Sequence, residues 1–119
     1  EAVRMAKDKL FAFQNSGSKK GEAAMLLALS LAQLAAKEPG PAMDNAKKSI
    51  VAFQKLGDAK GEFEALSKAM VGIYVLTNDK KEAVNAANQS LNLCKRLGEA
   101  FKADAFFAIM QARLASDAR

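Results

Sequence analysis

From Gly61 to Leu76 the chain places Leu66, Ala69, Met70 and Ile73 at i, i+3, i+4 and i+7, an apolar stripe along one side of a helix. The stretch from Pro41 to Leu56 behaves the same way, with proline in its first turn and Ala46, Ile50 and Phe53 on one side. No stretch alternates apolar and polar positions as a half-buried strand would. Alanine runs through the segments while glycine and proline collect at the joints, so propensity and pattern agree. The pattern predicts six helices: Ala2–Asn15, Lys19–Lys37, Ala42–Leu56, Ala59–Leu76, Lys80–Leu97 and Glu99–Ala115. Two kinds of joint alternate between them. One is tight, at Ser16-Gly17-Ser18, Leu56-Gly57-Asp58 and Leu97-Gly98-Glu99; the other is a turn at Pro39-Gly40-Pro41, Thr77-Asn78-Asp79 and Ser116-Asp117. Joints this short make neighbouring helices pack as antiparallel pairs.

Laid over itself at an offset of about 40 residues, the chain matches itself. AKDKLFAFQNSGSKKGEAAML, from Ala6, returns as AKKSIVAFQKLGDAKGEFEAL, from Ala46. A weaker third copy, AANQSLNLCKRLGEAFKADAFF, follows from Ala86; it keeps Ala87, Ser90, Leu91, Leu97 and Gly98 against Ala46, Ser49, Ile50, Leu56 and Gly57. Helix pairs recurring at a fixed period stack on their neighbours, so the expected architecture is an all-α helical-hairpin solenoid, one domain over residues 1–119. In the frame of this repeat the chain opens on a second-type helix and closes on a first-type helix, neither with its hairpin partner. With no initiating methionine, that reads as an excerpt of a longer array or a subunit whose end is covered in an assembly. The last helix, with Phe101, Phe106, Phe107, Ile109 and Met110, has a wider apolar girth than a polar capping helix should, and Phe101, Phe106, Phe107 and Met110 are expected on its exposed face.

The segments LGDAKGEFEALSKAMVGIY, NDKKEAVNAANQSL and LGEA resemble the longer-period tetratricopeptide repeats of scaffold and adaptor proteins, with Glu82-Ala83 standing where that family opens its second helix. The resemblance spans almost the whole chain but departs in detail, since the small residue usual inside the first helix is Ser30 in one copy and Met70 in the next, and tryptophan is absent. It implies a non-catalytic protein-interaction or scaffold module, a peripheral or linker subunit of a larger assembly. It also implies a right-handed sense for the solenoid, and that first-type helices line a concave groove. The groove residues would be Ala24, Leu27, Leu31 and Leu34, then Glu64, Ser67, Val71 and Tyr74, then Ala105, Ala108, Gln111 and Leu114. That surface is mostly apolar and lacks the basic and amide residues of a carboxylate clamp, so an amphipathic helix or apolar extended segment fits it better than an acidic tail.

Composition narrows the chemistry. The 119 residues contain no histidine and one cysteine, Cys94, which removes the commonest general base, the commonest zinc ligand and any internal disulfide framework. No enzyme activity, cofactor, metal or small-molecule substrate is expected. A reducing intracellular compartment, cytoplasm or plastid, suits this composition. No apolar run approaches the ~20 residues of a membrane helix, so the chain is expected not to span a membrane.

Two features invite sharper readings. The paired glycines of Gly17–Gly21 and Gly57–Gly61, with basic residues between them, could cradle a phosphate. Against this, Glu22 and Glu62 follow the second glycine and would repel an anion, and the third copy has Lys102 at that position. Helix punctuation is the better reading, with a left-handed first glycine, Ser18 or Asp58 as cap, and a dispensable second glycine. Cys94 aligns with Phe13 and Phe53 on the buried stripe and reads as a small core group. The formal charge of +5 raises nucleic acid as an alternative partner. The basic residues fall on second-type helices (Lys7, Lys9, Lys47, Lys48, Lys55, Lys80, Lys81, Lys95, Arg96) and at joints (Lys19, Lys20, Lys60, Lys102), and are read as a solvated convex face.

Overall fold

The structure, a computed structural model, describes residues 1–97 and 109–114. The described residues are helical apart from the joints, and no strand occurs among them. Helix α1 is Ala2–Ser16, α2 is Lys19–Ala35 and α3 is Pro39–Leu56. Three abutting segments, Ala59–Glu64, the π-wound Ala65–Met70 and Val71–Leu76, make one continuous helix, α4. Helix α5 is Lys80–Leu97, and residues 109–114 are helical as well. The rest of the sixth predicted helix, with Phe101, Phe106 and Phe107, lies outside the described residues.

Each described joint is built the same way. Gly17, Lys37, Gly57 and Asn78 take left-handed backbone, with φ of 77°, 62°, 70° and 62°. At each, the left-handed residue donates its N–H to the carbonyl three back, and the next residue donates to the carbonyl five back. Gly57 to Gln54 (3.1 Å) and Asp58 to Phe53 (2.9 Å) are one such pair. This satisfies carbonyls that a helix C-terminus otherwise leaves without partners. The positions 17, 37, 57 and 78 lie 20, 20 and 21 residues apart, so the backbone recurs at half the sequence period. The tight joints and the turns differ in residue type, and their hydrogen bonding is the same.

Two helix ends depart from the sequence expectation. Helix α2 stops at Ala35, two residues before Lys37, and α3 begins at Pro39 with Pro39-Gly40-Pro41 inside its first turn. The first four N–H groups of a helix have no intrahelical acceptor, so prolines there lose nothing. The joint is Lys37 and Glu38 instead. Ser18, Asp58 and Asp79 cap the helices that follow them: Gly21 N–H donates to Ser18 Oγ (3.2 Å), Gly61 N–H to Asp58 Oδ1 (3.0 Å) and Glu82 N–H to Asp79 Oδ1 (3.4 Å). Glu38 makes no such bond.

Each helix packs on the next along the chain, and α2 also meets the π-wound part of α4. The core runs through Ala46 and Phe53 of α3, Phe63, Leu66, Met70 and Ile73 of α4, and Ala87, Leu93 and Cys94 of α5. Alanines dominate its contacts: Ala23, Ala42, Ala46, Ala65, Ala69, Ala83 and Ala87 are all fully buried, which lets helices approach closely. The buried Ser30 hydroxyl donates to the Ala42 carbonyl across the α2–α3 contact (2.7 Å), and Ser49 and Ser90, equivalent in the repeat, donate to Ala46 and Ala87 in their own helices (2.8 and 2.6 Å). No buried polar side chain is therefore left unsatisfied among the described residues.

Candidate functional site

The glycine joints are closed hydrogen-bonding units. The N–H groups of Gly17, Ser18, Gly21 and Glu22 all donate within the joint, to Gln14, Phe13 and Ser18, and those of Gly57, Asp58, Gly61 and Glu62 do the same. An anion would find these donors occupied. The second glycine has a different purpose. A Cβ on Gly61 would stand 2.7 Å from Phe53 Cγ, and one on Gly21 would stand 2.7 Å from Phe13 Cγ. Each ring lies flat on the glycine of the next helix. The expectation that this glycine is dispensable is corrected at Gly61, where the phenylalanine eight residues earlier is buried and leaves no room for a Cβ. In the sequence of the third copy the smaller Cys94 stands eight residues before Lys102, which lies outside the described residues. The two rings differ in burial, since Phe53 is 5% exposed and Phe13 is 36% exposed; Phe13 is thus only half on the buried stripe.

The same eight-residue relation brings Tyr74 to Glu82. Burial of the phenol, then the carboxylates of Glu82 and Asp79, hold the Tyr74 pKa above its ordinary value of 10.

An open groove lies between α2 and the first part of α4, where four of the residues expected on a concave surface meet. About 330 Å³ of open space is lined by Ala24, Leu27, Leu31 and Glu64, with Phe53 of α3 also contributing. Leu27 is buried and reaches the groove only as floor, whereas Leu31 is half-buried. Lys20, Lys60, Asp58 and Glu64 give its rim both signs of charge. Val71, expected on the groove, is instead in the core at 2% exposure. Val71 directly follows the π-wound turn Ala65–Met70, while Leu66, Ala69, Met70 and Ile73 keep the expected stripe buried through it. Ser67 and Tyr74 are half-buried, and Leu34 lies over Gly72 further along. Gln111, Met110 and Leu114 are exposed, while Ile109 and Ala112 are core residues. Ala105 and Ala108 lie outside the described residues.

A larger groove, of about 810 Å³, opens on the other side of α2, between α1 and α3. Leu10, Leu26, Val51, Ala52 and Leu56 supply its apolar surface; Lys19, Lys47, Lys48 and Lys55 line it with Glu22 as the one acidic residue. On α3 the spacing is Lys48, Val51, Ala52, Lys55, one stripe at i, i+3, i+4 and i+7. Sequence reasoning had these lysines on a solvated convex face. It missed the groove because nothing local places Leu10 of α1 opposite Val51 of α3. The signal was present only as an apolar pair, Val51-Ala52, set between lysines.

Among the described residues no three His, Cys, Asp or Glu side chains gather so as to hold a metal ion, and no helix is long and apolar enough to cross a membrane. No family model matches the chain, and no curated protein or solved structure matches it either.

Proposed function

We propose that this chain is a tetratricopeptide-like helical-hairpin solenoid acting as a non-catalytic protein-interaction module, a peripheral or linker subunit of a larger assembly. The observation that supports it is the pair of apolar-lined grooves left between alternate helices by joints of one geometry, at residues 17, 37, 57 and 78. Helices set at a regular interval, with grooves between alternate members, offer extended surfaces for a helix or strand of another protein. The competing reading is a basic nucleic-acid-binding array. The larger groove has the lysines for it, yet its lining is aliphatic and carries no aromatic ring on which a base could stack.

Affinity capture followed by cross-linking mass spectrometry tests the proposal. A protein partner cross-linked to α1–α3 or α2–α4 groove residues supports it. Oligonucleotide affinity that falls steeply with salt, with no protein captured, would replace it with the competing reading.

A further inference from the structure

The two grooves differ in charge, and the difference selects an occupant. The α2–α4 groove carries two lysines and two carboxylates at its rim, whereas the α1–α3 groove sets four lysines against one glutamate. Lys19 is within 3.9 Å of that glutamate, Glu22, while Lys47, Lys48 and Lys55 make no ion pair among the described residues. Between the lysines, Val51 and Leu56 are 48% and 41% exposed, well above what side chains filling a core would show. We propose that the α1–α3 groove receives an acidic amphipathic helix of a protein partner, with its apolar stripe on Leu10, Val51 and Leu56 and its carboxylates against Lys47, Lys48 and Lys55.

This inference rests on the interaction-module reading and assigns the face and the partner chemistry. Burying the exposed aliphatic side chains supplies affinity, and the lysine rim supplies rate and selectivity, since exposed ion pairs add little affinity singly. Other occupants fit the groove less well. A second copy of this chain brings its own net charge of +5 to a basic rim. A phosphate backbone would leave the aliphatic floor uncovered, and a flat bilayer surface does not enter a concave groove.

The test is selection from an mRNA-displayed library of helix-forming peptides about as long as α3, against the full chain. The expected winners carry Asp and Glu flanking a Leu, Ile or Phe stripe. Their binding weakens about tenfold on Lys47→Glu with Lys48→Glu, and it falls as salt is raised. Val51→Asp weakens it as well, whereas Ala24→Arg, which fills the opposite groove, leaves it unchanged. All these positions are exposed, and matched circular dichroism spectra confirm that each variant is folded. Winners with no acidic bias, a library without binders, or binding lost on Ala24→Arg and kept by the lysine variant would each overturn the assignment. An oligonucleotide that binds this groove in place of peptide overturns it too. The interaction-module reading fails separately, if affinity capture yields no cross-linked protein partner.

Discussion

Replacing glycine by alanine inside a helix ordinarily stabilises it by about 0.5–1 kcal/mol, because alanine gives up less backbone freedom on folding. At Gly61 the sign is expected to reverse. The new Cβ would stand 2.7 Å from Cγ of Phe53, a ring atom close to its own backbone. Phe53 is 5% exposed, with core on its other side, so the ring has nowhere to go. Overpacking of this kind costs about 1–3 kcal/mol, which against the propensity gain leaves a net loss of up to about 2.5 kcal/mol for Gly61→Ala. The cap is not at issue, since alanine keeps the N–H donated to Asp58 Oδ1. Gly21→Ala repeats the perturbation with Phe13, which is 36% exposed and can swing toward solvent. Its expected effect lies within about 0.5 kcal/mol of zero, the propensity gain offsetting the lost ring contact. The third copy suggests the compensating change: with Phe53→Cys in the background, Gly61→Ala should become neutral or mildly stabilising, a coupling of about 1.5–2.5 kcal/mol. Urea unfolding followed by circular dichroism at constant m measures all four corners of the cycle. An effect of Gly61→Ala that is the same with and without Phe53→Cys, or a Gly61→Ala no worse than Gly21→Ala, would refute the ring-on-glycine account.

Lys37 holds a left-handed conformation that suits glycine, so Lys37→Gly should raise stability by about 0.5–1 kcal/mol in the same urea assay. A loss would mean that the Lys37 side chain contributes more than its backbone strain costs. Tyr74 is the only tyrosine and tryptophan is absent, so absorbance at 295 nm reports its ionisation alone. The native midpoint should lie above the ordinary value of 10 and fall back toward it in urea. Because the folded state favours the neutral phenol, this contribution to stability is complete below about pH 10 and is lost as pH rises through the folded pKa. Tyr74→Phe should flatten that alkaline loss; an unchanged pH profile would contradict it. The Cys94 thiol is fully buried, so thiol labelling should proceed only as fast as the helices around it open, and should accelerate in step with urea unfolding. Fast labelling of the native chain would place Cys94 at the surface.

Much of the fold was legible in the sequence because it is written in local terms. Apolar spacing and the glycines at 17 and 57 place α1, α2, α4 and α5 within two residues of their observed ends. The start of α3 was misread because Pro39-Gly40-Pro41 looks like a turn, although an N-terminal helical turn tolerates every one of those residues. The left-handed residue that makes the joint is Lys37, for which the sequence carries no sign. The π-wound turn was equally invisible. It sits where α2, α3 and α5 all pack against α4, and Val71, just after it, is in the core. The site was legible only in part. Leu27 and Leu31 share a face of α2, and Glu64 of α4 meets them at one groove. The basic groove needed the separation of α1 from α3, a distance set by α2 packing between them.

The measurement that tests the central claim most directly is a hydrogen-exchange footprint of the chain with and without a captured protein partner. The account predicts slowed exchange on the two helices flanking one groove, α1 with α3 or α2 with α4, and little change elsewhere. Absence of protection in either groove, or protection that appears only with oligonucleotide and vanishes as salt rises, would contradict it.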